Sequence, residues 1–445
     1  MTDTGGLWAG ASEADTTPSL GTDLGGYFES RFADKIERPL AAKALAFRSG
    51  DSTVVLVSVD ILMMRAVDIV DRAKELITER TGVPADHVMV SATHTHFGPA
   101  TVHRGGGPTV DPAYLVRVAE AIAIAAGAAV ANLRPARIGF GQAPVNGVCF
   151  NRRFRRTDGM VEFNPGTGRD DIVEPAGPID PTVTGLIVED RDGTPIAFWA
   201  NLSLHYVNAD RDTSISNDYF GAFGDRIAQL LGRPVRAQLT NGCSGDINNV
   251  DLSRAVPEQN VARAELVATA VAGAAAAGSM MARRHTDVPV SSKLIMVELE
   301  RALVTAEDLQ IAADALADRR DDVPFSYVKG MPIPPKQVKH YAARLQEMAE
   351  LPESAAVPVM IMAIGDLCIV GLPGEIFVEH GLAIRDGSRH PITAVVGLAN
   401  DHIGYVPTER ACAEGAYETW RGPVSWTAPG SGERLVAAAL AEMGR

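Results

Sequence analysis

The tripeptide His94-Thr95-His96 directly follows the apolar run His87–Ala92 and precedes Gly98-Pro99. A β-branched apolar run reads as a buried strand, and alternate side chains of an extended segment face the same way. Both rings are therefore expected on one side of a strand end, where ligands bind in α/β sheets. His205 repeats the pattern at the end of a second apolar run, 196–204. Neutral imidazole is a natural zinc ligand and a carboxylate oxygen a common further one, so two strand-end histidines suit a zinc site assembled from separate loops. Glu375, in Leu372-Pro373-Gly374-Glu375, offers that carboxylate. Its local context also fits a simpler role, an acid opposite the dipole of a helix over 376–385. The turn Asn241–Asn249 (NGCSGDINN) is a third strand-end device. Its small residues would let backbone N–H groups approach a ligand, and Asp246 would orient a ligating histidine. It reads equally as a plain tight turn. His285, His340 and His390 stand in polar, exposed settings, and His87 opens a strand.

The elements that must position these residues are those of an α/β protein. Strands are expected over 53–59, 87–92, 137–140, 183–189, 196–204, 235–240, 289–300, 357–364, 367–371 and 392–398. Gly365-Asp366 marks a hairpin turn between two of them. Helices are expected over 67–81, 112–133, 218–231, 258–284, 306–319 and 336–350, with a short closing helix at the C-terminus. The segments 142–182, 323–335 and 399–432 read as loops, the second Pro-rich and mobile, and loops of such length are uncommon unless functional. The fold class is mixed α/β, with sheets flanked by helices and the metal site at strand ends, in a single domain over 1–445.

The bulk properties narrow the function classes. The formal charge is −14 over 445 residues, which disfavours nucleic acid and anionic membrane surfaces as partners. Arg152, Arg153, Arg155 and Arg156 form a local run beside Gly and Asp, as in a solvated loop. The four cysteines form no CxxC pair and read as reduced thiols. The N-terminus has no basic start or apolar core, and the Ala-rich stretch 261–281 is interrupted by Arg263, Glu265 and Gly273. A cytoplasmic chain without stable membrane association is the expectation.

At these residues the sequence resembles the neutral/alkaline (non-lysosomal) ceramidase family, in its N-terminal catalytic domain. Ser91–Pro99 (SATHTHFGP) is similar to the family's SATHTHSGP signature. Asp15-Thr-Thr-Pro18, Asn151-Arg152, His205, Ser244-Gly-Asp246, Pro373-Gly-Glu375 and the segment from Gly404-Tyr405 to Tyr417-Glu418 follow in family order. The resemblance implies a zinc held by His94, His205, Glu375 and Tyr417. It implies cleavage of an amide bond, with Arg152 as a pocket residue anchoring substrate; zinc chemistry adds attack by metal-activated water, and His96, close in sequence to the ligand His94, is the candidate oxyanion donor or proton shuttle. Asn248 stands where the family has a catalytic-site serine, and an amide cannot act as that nucleophile. Ceramidases carry an immunoglobulin-like C-terminal domain, and this sequence ends before one. The expectation is thus a zinc-dependent amidohydrolase of a small, soluble substrate. An ester or lactone hydrolase, a catalytically altered binding protein, and a two-metal phosphoesterase using Asp60, Asp218 and Asp246 are the alternatives.

Overall fold

The computed structural model describes residues 6–103, 107–207, 213–252, 261–423 and 425–444. Its centre is an eight-stranded mixed sheet. In spatial order the strands are Arg236–Asn241, Pro195–Leu202, Thr182–Asp190, Arg134–Pro144, Trp8–Asp15, Ala41–Ser49, Ser52–Val59 and Val88–Ala92. A four-stranded sheet, Val290–Glu300, Ser354–Ile364, Leu367–Gly371 and Ile392–Val396, packs against it. The shared core joins Phe47, Leu56, Met89, Leu186 and Trp199 from the larger sheet to Met360, Met362, Ile369 and Val396 from the smaller. Each large side chain buried there contributes about 1.5–3 kcal/mol. Helices Asp71–Thr81 and Pro112–Ala131 cover one half of the outer face of the larger sheet. Helices Asp218–Leu231 and Val261–Met280 cover the other half. Val378–Gly387 and Ser431–Met443 cover the smaller sheet. Sheets flanked by helices, as the sequence indicates, form four layers.

Among the described long strands three pairs are parallel, and each is a strand–helix–strand crossover. They are Ser52–Val59 with Val88–Ala92, Pro195–Leu202 with Arg236–Asn241, and Leu367–Gly371 with Ile392–Val396. Crossovers place the carboxyl ends of both strands on the same edge, the edge at which α/β proteins bind ligands. His94, His205, the 241–249 turn, Glu375 and His402 all lie just beyond such ends.

Several sequence expectations change. Trp8–Asp15 and Ala41–Ser49 are strands that alanine-rich sequences (WAGASEAD, AAKALAFRS) disguise. Small side chains there let helix Pro112–Ala131 lie close on the sheet. That helix is long and apolar enough to cross a membrane by length and composition, yet half of its apolar window is buried inside this fold. The segment 142–182 is not a loop throughout: Arg153–Arg156, Val161–Phe163 and Ile172–Pro175 form a three-stranded sheet. The arginine run is not solvated, because Arg152 and Arg153 are buried. Residues 323–335 are anchored rather than mobile, with Val323, Phe325, Tyr327 and Ile333 packed beside Trp420. The helix expected over 258–284 spans Val261–Met280, and residues 253–260 lie outside the described residues. His285, His340 and His390 are half-buried rather than exposed.

The long Ala-rich helix Val261–Met280 meets the sheet at glycines. A Cβ on Gly141 would lie 2.1 Å from the Gly278 carbonyl oxygen, and one on Gly185 would lie 2.4 Å from that of Ala275. Gly185→Ala should therefore cost about 1–3 kcal/mol, as overpacking does, lowering the denaturant midpoint in a circular-dichroism titration. An unchanged midpoint would show that the helix is not seated as described.

Candidate metal centre

The strand Val88–Ala92 stops two residues before His94. The backbone of His94 is not extended, as the sequence suggests, but left-handed, with φ of +71°. A non-glycine residue there is uncommon, and such strain gathers at functional sites. It is held by the hydrogen bond from the His94 N–H to the Ile61 carbonyl. The ring Nδ1 lies 2.7 Å from the Leu62 carbonyl oxygen. A carbonyl only accepts, so Nδ1 carries the proton and Nε2 turns a lone pair inward. Thr95 and Phe97 are tied to Ser216, which fixes the loop from the far side.

His205 comes from the crossover strand Pro195–Leu202. Its ring centre lies 4.6 Å from that of His94 and 5.1 Å from that of His96. The Nε2 atoms of His96 and His205 are 3.0 Å apart. One ring nitrogen from each of His94, His96 and His205 lies within 4.8 Å of the others, and all three residues are buried. Two rings supplied more than a hundred residues apart thus meet within reach of a single ion.

Glu375 completes the cluster. Its Oε2 lies 3.4 Å from His94 Nε2 and 3.8 Å from His205 Nδ1. That oxygen is buried and makes no hydrogen bond. Burial raises a carboxyl pKa, but His94, His205 and His402 outweigh it and hold Glu375 well below the usual carboxylate range. His205 is driven the other way, by burial first, then Arg152 and the other two rings, and stays neutral. Imidazole nitrogens beside a buried, ionised carboxylate are the donor types that zinc takes. Two ligands on a tetrahedral ion with bonds of about 2.0–2.1 Å stand roughly 3.4 Å apart, the spacing of Glu375 and His94. The residues fit a metal ion. Glu375 is not the helix N-terminal acid of the simpler reading: Glu375–Ile376 pairs as a short parallel strand with Tyr405–Val406, and the helix starts at Val378. Gly245 allows the 241–249 turn to press on this strand, since a Cβ there would lie 2.3 Å from the Glu375 carbonyl oxygen.

Arg152 lies inside the site. Nη1 is 2.8 Å from His205 Nδ1, Nη2 donates to the Gly245 carbonyl at 2.6 Å, and Nε donates to Glu418 at 2.9 Å. Tyr405 is the register partner of Glu375, and the Arg152 guanidinium reaches its hydroxyl. Burial and the Glu375 charge push that hydroxyl well above the ordinary tyrosine range. Tyr417 lines the same narrow cavity as Glu375, His402, Tyr405 and Trp420. Its ring packs on Phe163, Tyr405 and Trp420.

Two expected roles change. Asp246 does not orient a histidine. Its oxygens accept from the Val378 N–H at 2.8 Å and the Asn151 amide at 2.9 Å, so it ties the 241–249 turn to the start of the following helix. The ring partners are instead Leu62 for His94 and Arg152 for His205. Asn248 is buried and donates to Asn164 at 2.7 Å, while its oxygen accepts from the Val250 N–H. The two-metal arrangement of Asp60, Asp218 and Asp246 does not form. Among the described residues the grouped metal-binding side chains are the three histidines. Asp60 holds Ala41 and Asn217, and burial pushes Asp218 up to about 8.

Sequence reasoning gave no role to Tyr405 or Glu418, although both stand in the quoted motifs. It also missed Gly26 and Arg31. A Cβ on Gly26 would lie 2.6 Å from the His96 ring, and Arg31 donates to the His96 carbonyl at 2.6 Å. No local pattern announces such contacts, which bridge 65 residues for Arg31 and His96.

Comparison with protein-family models finds no match, and neither does comparison with curated proteins. Two solved structures are similar. One is a neutral ceramidase from Pseudomonas aeruginosa, at 19% identity and a TM-score of 0.73, over 98% of this chain and 74% of that one. The other is described as ceramidase complexed with C2, at 18% identity and a TM-score of 0.74, with the same coverage. At such identities the likeness is one of architecture, and over nearly its whole length this chain has the fold of the neutral ceramidases.

Proposed function

We propose that the chain is a zinc-dependent hydrolase that cleaves the amide (N-acyl) bond of a small, soluble substrate. The observation that carries this reading is the buried Glu375 Oε2 facing the ring nitrogens of His94 and His205. The fold shared with ceramidases supports an N-acyl bond as the target. His94, His205 and Glu375 would hold the ion. A tyrosine hydroxyl would complete the set, and its register pairing with Glu375 favours Tyr405 over Tyr417. Zinc in this setting supplies an acidified water and a Lewis acid for the scissile carbonyl.

The chain's own residues do the rest. Arg152 fixes a positive charge beside His205, where it stabilises negative charge developing on the carbonyl oxygen. His96, backed by Arg31, faces the cluster and returns a proton to the leaving amine. Asn248 engages Asn164 and supplies no nucleophile, which favours attack by water over a covalent intermediate.

Three outcomes follow. His94→Ala and His205→Ala should each abolish zinc retention, measured by elemental analysis, together with activity. His96→Ala should retain zinc and lose rate. Equal zinc loss in His96→Ala would make the site a three-histidine one and remove His96 as proton carrier. Arg152→Met should keep zinc and lower kcat by roughly 100- to 1000-fold, read on whichever of N-acyl amino acids, N-acyl amines or esters is turned over. Zinc bound without turnover of any of them would contradict the hydrolase reading.

A further inference from the structure

Arg152 and Arg153 are adjacent where one short strand, Phe150–Asn151, gives way to the next, Arg153–Arg156, and their guanidinium groups converge on one carboxylate. Glu418 takes Arg152 Nε on one oxygen at 2.9 Å and Arg153 Nη1 on the other at 3.0 Å, and its side chain is fully buried. Arg153 also donates to the carbonyl of Gly415 at 2.9 Å. The turn it grips contains two successive residues with positive φ, Gly415 at +86° and Ala416 at +76°, the second rare for a side-chain-bearing residue. That turn presents Tyr417 and Glu418. One carboxylate therefore ties three things together: the arginine aimed at His205, the strand that begins at Arg153, and the strained turn that carries a wall of the cavity.

We propose that Glu418 is a positioning residue, which acts on the reaction through Arg152 by holding its guanidinium in the one orientation that points Nη1 at His205 Nδ1. The inference rests on the hydrolase reading above for its consequence in rate, and on geometry alone for its consequence at His205. Nε is fixed by Glu418, Nη2 by Gly245 and Nη1 by His205, so each edge of the guanidinium has a defined partner. Loss of the Glu418 contact frees the fork to turn about its long side chain, and buried charge pairs with one partner removed are strongly disfavoured. Because an N–H donor faces Nδ1, His205 of the metal-free protein is held as the tautomer with its proton on Nε2.

The test uses E418Q, R152M and the double variant, with E418D in place of E418Q should the amide fail to fold. Zinc content should be unchanged in E418Q. Its kcat should fall roughly 10- to 100-fold alone, but by less than about threefold when introduced into R152M, because residues that act as a unit are not additive. An equal fall in both backgrounds, or none in either, would overturn the proposal. Nitrogen NMR of histidine-labelled, metal-free protein gives a second readout that needs no turnover. Wild type should show His205 with an unprotonated Nδ1, and E418Q should lose that bias. An identical His205 signal in E418Q would sink the proposal even if no substrate were ever found. A shifted signal in a protein that hydrolyses nothing would sustain the positioning role while removing the hydrolase reading.

Discussion

A buried carboxylate is costly unless hydrogen bonds or positive charge face it, and Oε2 of Glu375 is a buried carboxylate oxygen with only ring nitrogens near it. Its neighbours are imidazole rings, which offer lone pairs as well as protons. Arg152, anchored on Glu418, places a fixed positive charge on the far side of His205. The charge inside the site is thus arranged around one position. The nearest donors are suited to a cation, and the guanidinium is held by its own carboxylate at the periphery. Much of the local construction serves this arrangement: the left-handed His94 backbone, the glycine contact behind Glu375 and the strained turn before Tyr417.

The fold explains how such distant residues meet. Three crossover units, two in the large sheet and one in the small, deliver their strand ends to one edge. Packing the two sheets face to face brings Glu375, just beyond a strand of the smaller sheet, against histidines just beyond strands of the larger. A rigid scaffold sets the ligands, while the connections beyond the strands supply Arg152, Tyr405, Tyr417 and Glu418. Scaffold precision with loop variability is how a common fold accommodates different substrates. The aromatic residues around Glu375 leave a narrow cavity in this chain.

Much of this was legible in the sequence where chemistry and local pattern coincided. Apolar β-branched runs ending in histidine located two of the three histidine-bearing or carboxylate-bearing strand ends, and the helix Asp218–Leu231 was read to the residue. Legibility failed where tertiary packing overrode composition. Ala41–Ser49 has the residues of a helix and lies as a strand because neighbours on both sides pair with it. Arg152 and Arg153 look like solvated loop residues until Glu418, more than 260 positions away, accounts for their burial. Asp246 had the right type for a histidine partner, but the chain turns its oxygens to Val378 and Asn151 instead. Tyr417 came only from resemblance. Which of two nearby tyrosines faces Glu375 depends on a two-residue strand pairing that no sequence period reveals.

X-ray absorption spectroscopy on the zinc-loaded protein tests the central claim most directly. A zinc held by His94, His205 and Glu375 gives imidazole nitrogens at about 2.0–2.1 Å mixed with oxygen at about 2.0–2.2 Å, and a smaller oxygen contribution in Glu375→Ala. A protein that takes up no zinc, or binds it without imidazole scattering, would contradict it.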